Sequence, residues 1–200
     1  GDELDFVDIG GGFGIPYDGE PRLIIEDLAR VILPVIRGTG LRLVLEPGRY
    51  IVGEAGVLLT RVEYLKQVGT KWFVIVDGGM SELIRPSHYG GYHAIEPVVM
   101  PSPRDIEVVD VVGPICESGD FLARDRSLEL PEPGDLLAVR TAGAYGFAMA
   151  SNYNARCRSA EVLVEGDRLH MVRRRETIED LVRGETIPWE VSGEGGAEES

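Results

Sequence analysis

Five short stretches of the chain carry residue types that could do chemistry. The first is Gly10-Gly11-Gly12-Phe13-Gly14. Several glycines directly after an apolar strand-like run let the backbone approach a phosphate, whose charge then meets bare N–H groups. A purely structural glycine turn is the competing reading. A dinucleotide-binding fingerprint fails here. Its third glycine is replaced by Ile15, Pro16 follows, and the next strand reaches an acidic residue only at Glu46, far beyond the roughly twenty residues that fingerprint needs. The second stretch is Glu46-Pro47-Gly48-Arg49, at the expected C-terminal end of a parallel strand, where α/β barrels place catalytic groups. A carboxylate there could hold a protonated ring nitrogen, and Gly48 and Arg49 offer an N–H and a cation to an anion. A turn with a surface ion pair is the alternative.

The third stretch is Ile84-Arg85-Pro86-Ser87-His88-Tyr89. An arginine before proline is expected in extended conformation, and its guanidinium could grip a carboxylate with both arms of its fork. A solvated loop arginine is the simpler reading. The fourth is Gly113-Pro114-Ile115-Cys116-Glu117-Ser118-Gly119-Asp120, where a possible proton donor, Cys116, stands beside a group able to hold an ammonium, Glu117. A buried, inert cysteine next to a surface glutamate competes with it. In the fifth, Thr141-Ala142-Gly143-Ala144-Tyr145-Gly146, small residues surround a phenol that could lie against a ligand or simply pack in a tight turn. The three histidines, His88, His93 and His170, fit no metal-ligand spacing, and no metal site is expected.

These stretches need elements to hold them. Leu4 to Ile9 reads as a strand leading into the glycine run. A helix should follow, with Pro21 in its first turn, Ile24, Leu28, Val31 and Val35 at helical spacing, a kink at Pro34 and a stop at Gly38. Leu41 to Leu45 is nearly continuously apolar, as in a parallel strand. Strand, helix and strand make a β/α unit. After Arg49 the pattern becomes that of antiparallel β structure. Val57–Val68 and Trp72–Val76 flank a Gly69-Thr70 hairpin turn, and further strands are expected at 106–112, 136–140, 160–164 and 169–172. Gly166-Asp167 marks another hairpin, and Thr177 caps a short helix to Val182 that Gly184 should stop.

The formal net charge of −14 argues against nucleic acid or an anionic membrane as partner. No apolar run is long enough to span a bilayer, and two cysteines without framework spacing suit a reducing cytoplasm. Residues 190–200 are Gly-, Glu- and Ser-rich and are expected to be disordered.

Singly these signals are ordinary; in this order and with these identities they form a pattern. Gly-Gly-Gly-Phe-Gly, Glu-Pro-Gly-Arg, Arg-Pro with a tyrosine, Cys-Glu-Ser-Gly-Asp and Gly-Ala-Tyr-Gly together resemble the C-terminal portion of the fold-type III pyridoxal-phosphate-dependent decarboxylases, from about Leu4 to Trp189. The Cys-Glu pair resembles the branch acting on diaminopimelate, whereas ornithine decarboxylases typically carry Cys-Asp. The resemblance implies the end of an alanine-racemase-like β/α barrel (residues 1–53) joined to a β-sandwich or barrel domain (54–189). Residues 143–155 would pack back on the barrel, and 190–200 would form the acidic tail. It also implies pyridoxal 5'-phosphate as cofactor. Gly10, Gly11, Gly12, Gly48 and Arg49 would cradle its phosphate, Glu46 would pair with its ring nitrogen, and Tyr145 would lie on it and face the substrate.

Arg49, Arg85 and Tyr89 would hold the distal carboxylate of meso-diaminopimelate. Cys116 and Glu117 would reach across a homodimer interface, Cys116 as proton donor and Glu117 as holder of the distal amino group. The implied reaction releases CO2 and leaves L-lysine. The lysine that binds the cofactor covalently would lie upstream, with Lys66 and Lys71 ordinary turn residues, so the chain alone should be inactive. A family member acting on another diamino acid (ornithine, lysine or arginine type) and a non-catalytic β-domain binding module are the other readings.

Overall fold

The computed structural model describes residues 4–99 and 103–186, so the tail at 190–200 lies outside the described residues. The described residues fall into two compact units, divided between Arg158 and Ser159.

The first unit opens with β1 (Phe6–Asp8), α1 (Ile25–Arg37) and β2 (Arg42–Val44). The strands pair in parallel, Val7 opposite Leu43, which requires a crossover between them; α1 is that crossover. The helix begins later than its proline suggests. The Glu20 carboxylate accepts from the N–H groups of Tyr17 and Asp18, at 2.8 and 2.7 Å, closing a tight turn just before Pro21, and residues 21–24 stay outside the helix. The helix runs through Pro34 and closes at Gly38. A single turn, α2 (Gly48–Val52), follows β2.

A six-stranded sheet fills the rest of the unit: β3 (Leu58–Val68), β4 (Lys71–Val76), β5 (Ile95–Pro97), β6 (Ile106–Val112), β7 (Phe121–Glu129) and β8 (Leu136–Val139). Its spatial order is β5-β8-β3-β4-β6-β7. The expected β3–β4 hairpin forms with Val68 opposite Lys71, and Gly69 takes φ +62° at the first turn position. The expectation of an antiparallel sheet is corrected at one pair, because β4 and β6 run parallel, Val74 opposite Val111. The long connection between them makes this possible; it carries β5 and the one-turn helix α3 (Arg85–Tyr89). Arg85 therefore opens a helical turn instead of lying extended. Proline costs nothing in a first turn, where its missing N–H has no partner to lose, and His88 N–H closes the turn on the Ile84 carbonyl at 3.0 Å.

The core lies on one face of the sheet, around Val62, Val74, Val76, Leu83, Val109, Val111, Leu122 and Val139, all essentially enclosed. The sheet's ends approach each other: Arg126 on β7 donates to the carbonyl of His93, two residues before β5, at 2.8 Å. The architecture is thus a β/α unit followed by a sheet curling towards a barrel. The second unit is a hairpin of β9 (Glu161–Glu165) and β10 (Arg168–Arg173) with helix α4 (Ile178–Val182). Thr177 and Asp180 form a reciprocal capping box at the helix start.

Candidate functional site

Three of the five stretches meet. Gly11, Gly12, Phe13, Glu46, Pro47, Gly48, Arg49, Tyr50 and Tyr145 line one cleft of about 320 Å³. The loop after β1 and the loop after β2 are tied at their base, where Glu46 N–H donates to the Gly10 carbonyl at 2.8 Å. Approach is so close that a Cβ at Gly11 would lie 2.9 Å from the Glu46 carbonyl oxygen. Gly10 and Gly12 adopt φ of +68° and +81°, which glycine enters without steric cost. Gly10 N–H is donated to the Asp8 carboxylate at 2.8 Å. The N–H groups of Gly11 and Gly12 have no hydrogen-bond partner among the described residues. Two bare donors at the lip of a cleft suit an anion.

Arg49 adds a cation with no carboxylate within ion-pair distance among the described residues. Gly48 contributes differently than expected: its N–H is donated to the Glu46 carbonyl at 2.8 Å, so it offers open space and no donor. Glu46 itself is exposed in the cleft and not buried. It stands at the end of β2, which pairs with β1 alone among the described strands.

Tyr145 reaches the cleft because its loop docks on α2. Ala142 N–H donates to the Gly56 carbonyl at 2.8 Å and Gly143 N–H to the Gly53 carbonyl at 3.0 Å. A Cβ at Gly143 would fall on the Val52 carbonyl oxygen. Tyr145 holds φ +60°, an uncommon conformation for a non-glycine residue. It costs on the order of 1–3 kcal/mol and is concentrated at functional positions.

Arg85, Tyr89, Cys116 and Glu117 are not among the residues lining that cleft. They form a second assembly. α3 lies against the loop 113–120, where the Cβ of Ser87 is 3.6 Å from the position a Cβ would take on Gly119. Cys116 and Glu117 are both exposed on this loop, which sets aside the buried, inert reading of the cysteine. Glu117 accepts from Gly119 N–H at 3.1 Å. Tyr89 is exposed, its ring edge-on to His88.

Two residues that organise this assembly were not singled out from sequence. The Asp120 carboxylate, 4% exposed, accepts from Ile115 N–H at 2.6 Å and from Met80 N–H at 2.7 Å. It fills the space beside Gly79 and Gly113 so closely that neither could carry a side chain without displacing it. The Asp77–Glu82 loop is in turn fixed by Thr60, by Ser81 and by Arg156, whose guanidinium donates to the Asp77 carbonyl at 2.6 Å. The second residue is His93, fully enclosed, with Nε2 2.7 Å from Arg85 Nη1 and Nδ1 2.8 Å from the Arg140 carbonyl. Its contacts lie eight and forty-seven positions away in sequence, so no local spacing could reveal them.

Neither lysine lines the cleft. Lys71 Nζ sits 2.8 Å from Asp125 and 2.9 Å from Asp110. Its hydrogen bonds to those carboxylates, that to Asp125 foremost, raise its pKa and keep it an ammonium. Among the described residues no helix is long and apolar enough to cross a membrane.

Comparison with known proteins places this geometry. The chain is 55% identical over 183 residues to the diaminopimelate decarboxylase of Pseudomonas aeruginosa, an alignment covering 90% of this chain and 43% of that protein. A crystal structure from Aquifex aeolicus superposes with a TM-score of 0.88 at 48% identity, over 92% of this chain and 46% of that one. The Helicobacter pylori diaminopimelate decarboxylase, solved with L-lysine, superposes with a TM-score of 0.85 at 45% identity, over 92% and 45%. The chain thus spans less than half the length of the relatives it matches. Residues 17–143 match the family described as "Pyridoxal-dependent decarboxylase, C-terminal sheet domain", and it is to this family that the chain belongs.

Proposed function

We propose that this chain supplies the phosphate-, ring- and substrate-holding parts of a decarboxylase that uses pyridoxal 5'-phosphate to convert meso-2,6-diaminopimelate into L-lysine and CO2, working as a homodimer. The observation that carries the reading is the single cleft shared by the glycine loop, Glu46–Arg49 and Tyr145. Its contents fit the cofactor. Two unpartnered N–H groups and Arg49 answer a phosphate dianion, Glu46 answers a protonated ring nitrogen, and Tyr145 answers an aromatic face. Pyridoxal phosphate bound there would supply the electron sink for the pair released as CO2 departs. With the cofactor bound, an ionised Glu46 would keep the ring nitrogen protonated, because each charge would stabilise the other.

The remaining residues orient the substrate. Arg49, Arg85 and Tyr89 hold its distal carboxylate, Glu117 its distal amino group, and the Cys116 Sγ–H delivers a proton to the carbon that loses CO2. Cys116 and Glu117 are exposed and away from the cleft, which supports their serving the partner subunit's site across the dimer. The covalently reacting lysine would come from sequence outside this chain, since relatives are about twice as long and the cleft holds no amine. An exposed free thiol at Cys116 suits a reducing cytoplasm.

The test is CO2 release by the full-length holoenzyme from meso-diaminopimelate, from lysine and from ornithine. Turnover of diaminopimelate well above the other two is expected. Faster turnover of lysine or ornithine would overturn the assignment of substrate.

A further inference from the structure

Arg85 is held as a cation without an anion. Among the described residues no carboxylate lies within ion-pair distance of its guanidinium. Its neighbours are instead the Tyr17 ring, with its centroid 4.5 Å from Cζ, the open face of Gly91, where a Cβ would be 3.4 Å from Cζ, and His93. Half-buried Arg104 and Arg156, by contrast, meet the carboxylates of Asp135 and Glu82, while Arg49 and Arg126 share with Arg85 the lack of one among the described residues. From this contrast we propose that His93 is the positioning residue for Arg85, fixing the guanidinium so that its free edge receives a carboxylate of the substrate.

The chemistry of the two contacts fixes how His93 does this. The Arg140 carbonyl can only accept, so Nδ1, 2.8 Å away, carries the hydrogen. The guanidinium can only donate, so Nε2, 2.7 Å from Nη1, is bare. Both contacts are satisfied only by the neutral Nδ1–H tautomer. The Tyr17 ring stands edge-on to the imidazole, centroids 5.4 Å apart, and closes the third side. A carboxylate in place of His93 would also orient Arg85, but would neutralise it. A neutral acceptor fixes the fork's plane and leaves its charge for a ligand, which is what an anion-recognising arginine requires. His93 has no route to the ligand itself, because it is entirely enclosed.

This inference rests on the reading of Arg85 as a carboxylate-binding residue. It is tested in the full-length holoenzyme with His93→Asn and His93→Gln. An asparagine amide can reach the Arg140 carbonyl but offers nothing at the Nε2 position, whereas a glutamine oxygen can replace that acceptor. His93→Asn should raise KM for meso-diaminopimelate roughly tenfold or more while kcat changes less than about threefold, and His93→Gln should restore most of the loss. Inhibition by 2-aminopimelate, which keeps the distal carboxylate, should weaken in parallel, and inhibition by cadaverine, which carries no carboxylate, should not.

Equal weakening towards both inhibitors, or a wild-type KM in His93→Asn, would overturn the proposal. A second measurement needs no variant. ¹⁵N spectra of the wild-type enzyme should show the His93 ring with Nδ1 protonated and Nε2 bare at neutral pH, the Nε2 resonance moving on addition of 2-aminopimelate but not of cadaverine. A protonated Nε2 would overturn it as well. If the wild-type enzyme neither turns over diaminopimelate nor binds 2-aminopimelate, the reading of function fails, whatever the tautomer.

Discussion

At the scale of single residues, two buried polar groups set the outcome. Asp120 accepts from two backbone N–H groups on different loops, and Asp120→Asn would turn an amide NH2 towards one of them. A buried donor left facing a donor costs about 1–3 kcal/mol, so the urea midpoint should fall accordingly; a loss below about 0.5 kcal/mol would mean the carboxylate is not the organiser of the loop. His93 brings pH dependence. Burial, foremost, depresses its pKa below the ordinary 6.5; the Arg85 and Arg126 guanidiniums add to this, and the hydrogen bond to the Arg140 carbonyl opposes it. Tyr17 and Tyr92 are the other titratable groups near it, with Asp18 beside Tyr92.

Below pH 6.5 the unfolded chain therefore takes up this proton before the folded one does. The stability His93 contributes is full above 6.5 and is lost as pH falls towards its depressed folded value. Denaturation midpoints measured from pH 7.5 downwards should decline over that window in the wild type and less steeply in His93→Gln. Parallel slopes would show that His93 does not remain neutral. The five chemical stretches were legible at this scale because each is contiguous and its residue types state its chemistry. His93 was not, because its meaning lies in partners brought to it only by folding.

At the scale of elements, the loop 141–146 connects chemistry to fold. Gly143 packs on the Val52 carbonyl with no room for a methyl group, and Tyr145 enters the cleft from that contact. Gly143→Ala should push the loop off α2, costing about 1–3 kcal/mol of stability. It should weaken pyridoxal phosphate binding by the full-length protein, followed by cofactor absorbance on dialysis; retained affinity would show that Tyr145 is not needed there. The expected strands and both hairpin turns were readable from apolar runs and glycine placement. β7 was not: Asp125 takes φ +48° in its middle, and the register slips opposite Val109–Val111, so Phe121–Glu129 never shows the alternation that marks a strand. The parallel β4–β6 pair was equally hidden, because nothing local to either strand encodes which neighbour the long crossover will select.

At the scale of the molecule, the arrangement separates holding from reacting. The cleft offers an anion seat, a carboxylate and an aromatic ring, while the chain's two lysines sit in the sheet around the β3–β4 turn. An amine must be unprotonated to add to an aldehyde, and Lys71 is held as an ammonium between Asp125 and Asp110. Lys66 is exposed on β3, opposite Phe73, and is not among the residues lining the cleft that offers the anion seat. Borohydride reduction of this chain with pyridoxal phosphate, read by peptide mass spectrometry, should therefore trap no stoichiometric adduct at Lys66 or Lys71. The same treatment of a full-length protein should label one lysine outside these 200 residues. A clean single adduct at Lys71 would require its aspartate pair to open and the aldehyde to dock on the sheet. That result would move the cofactor out of the cleft and, with it, the roles argued for Glu46, Arg49 and Tyr145.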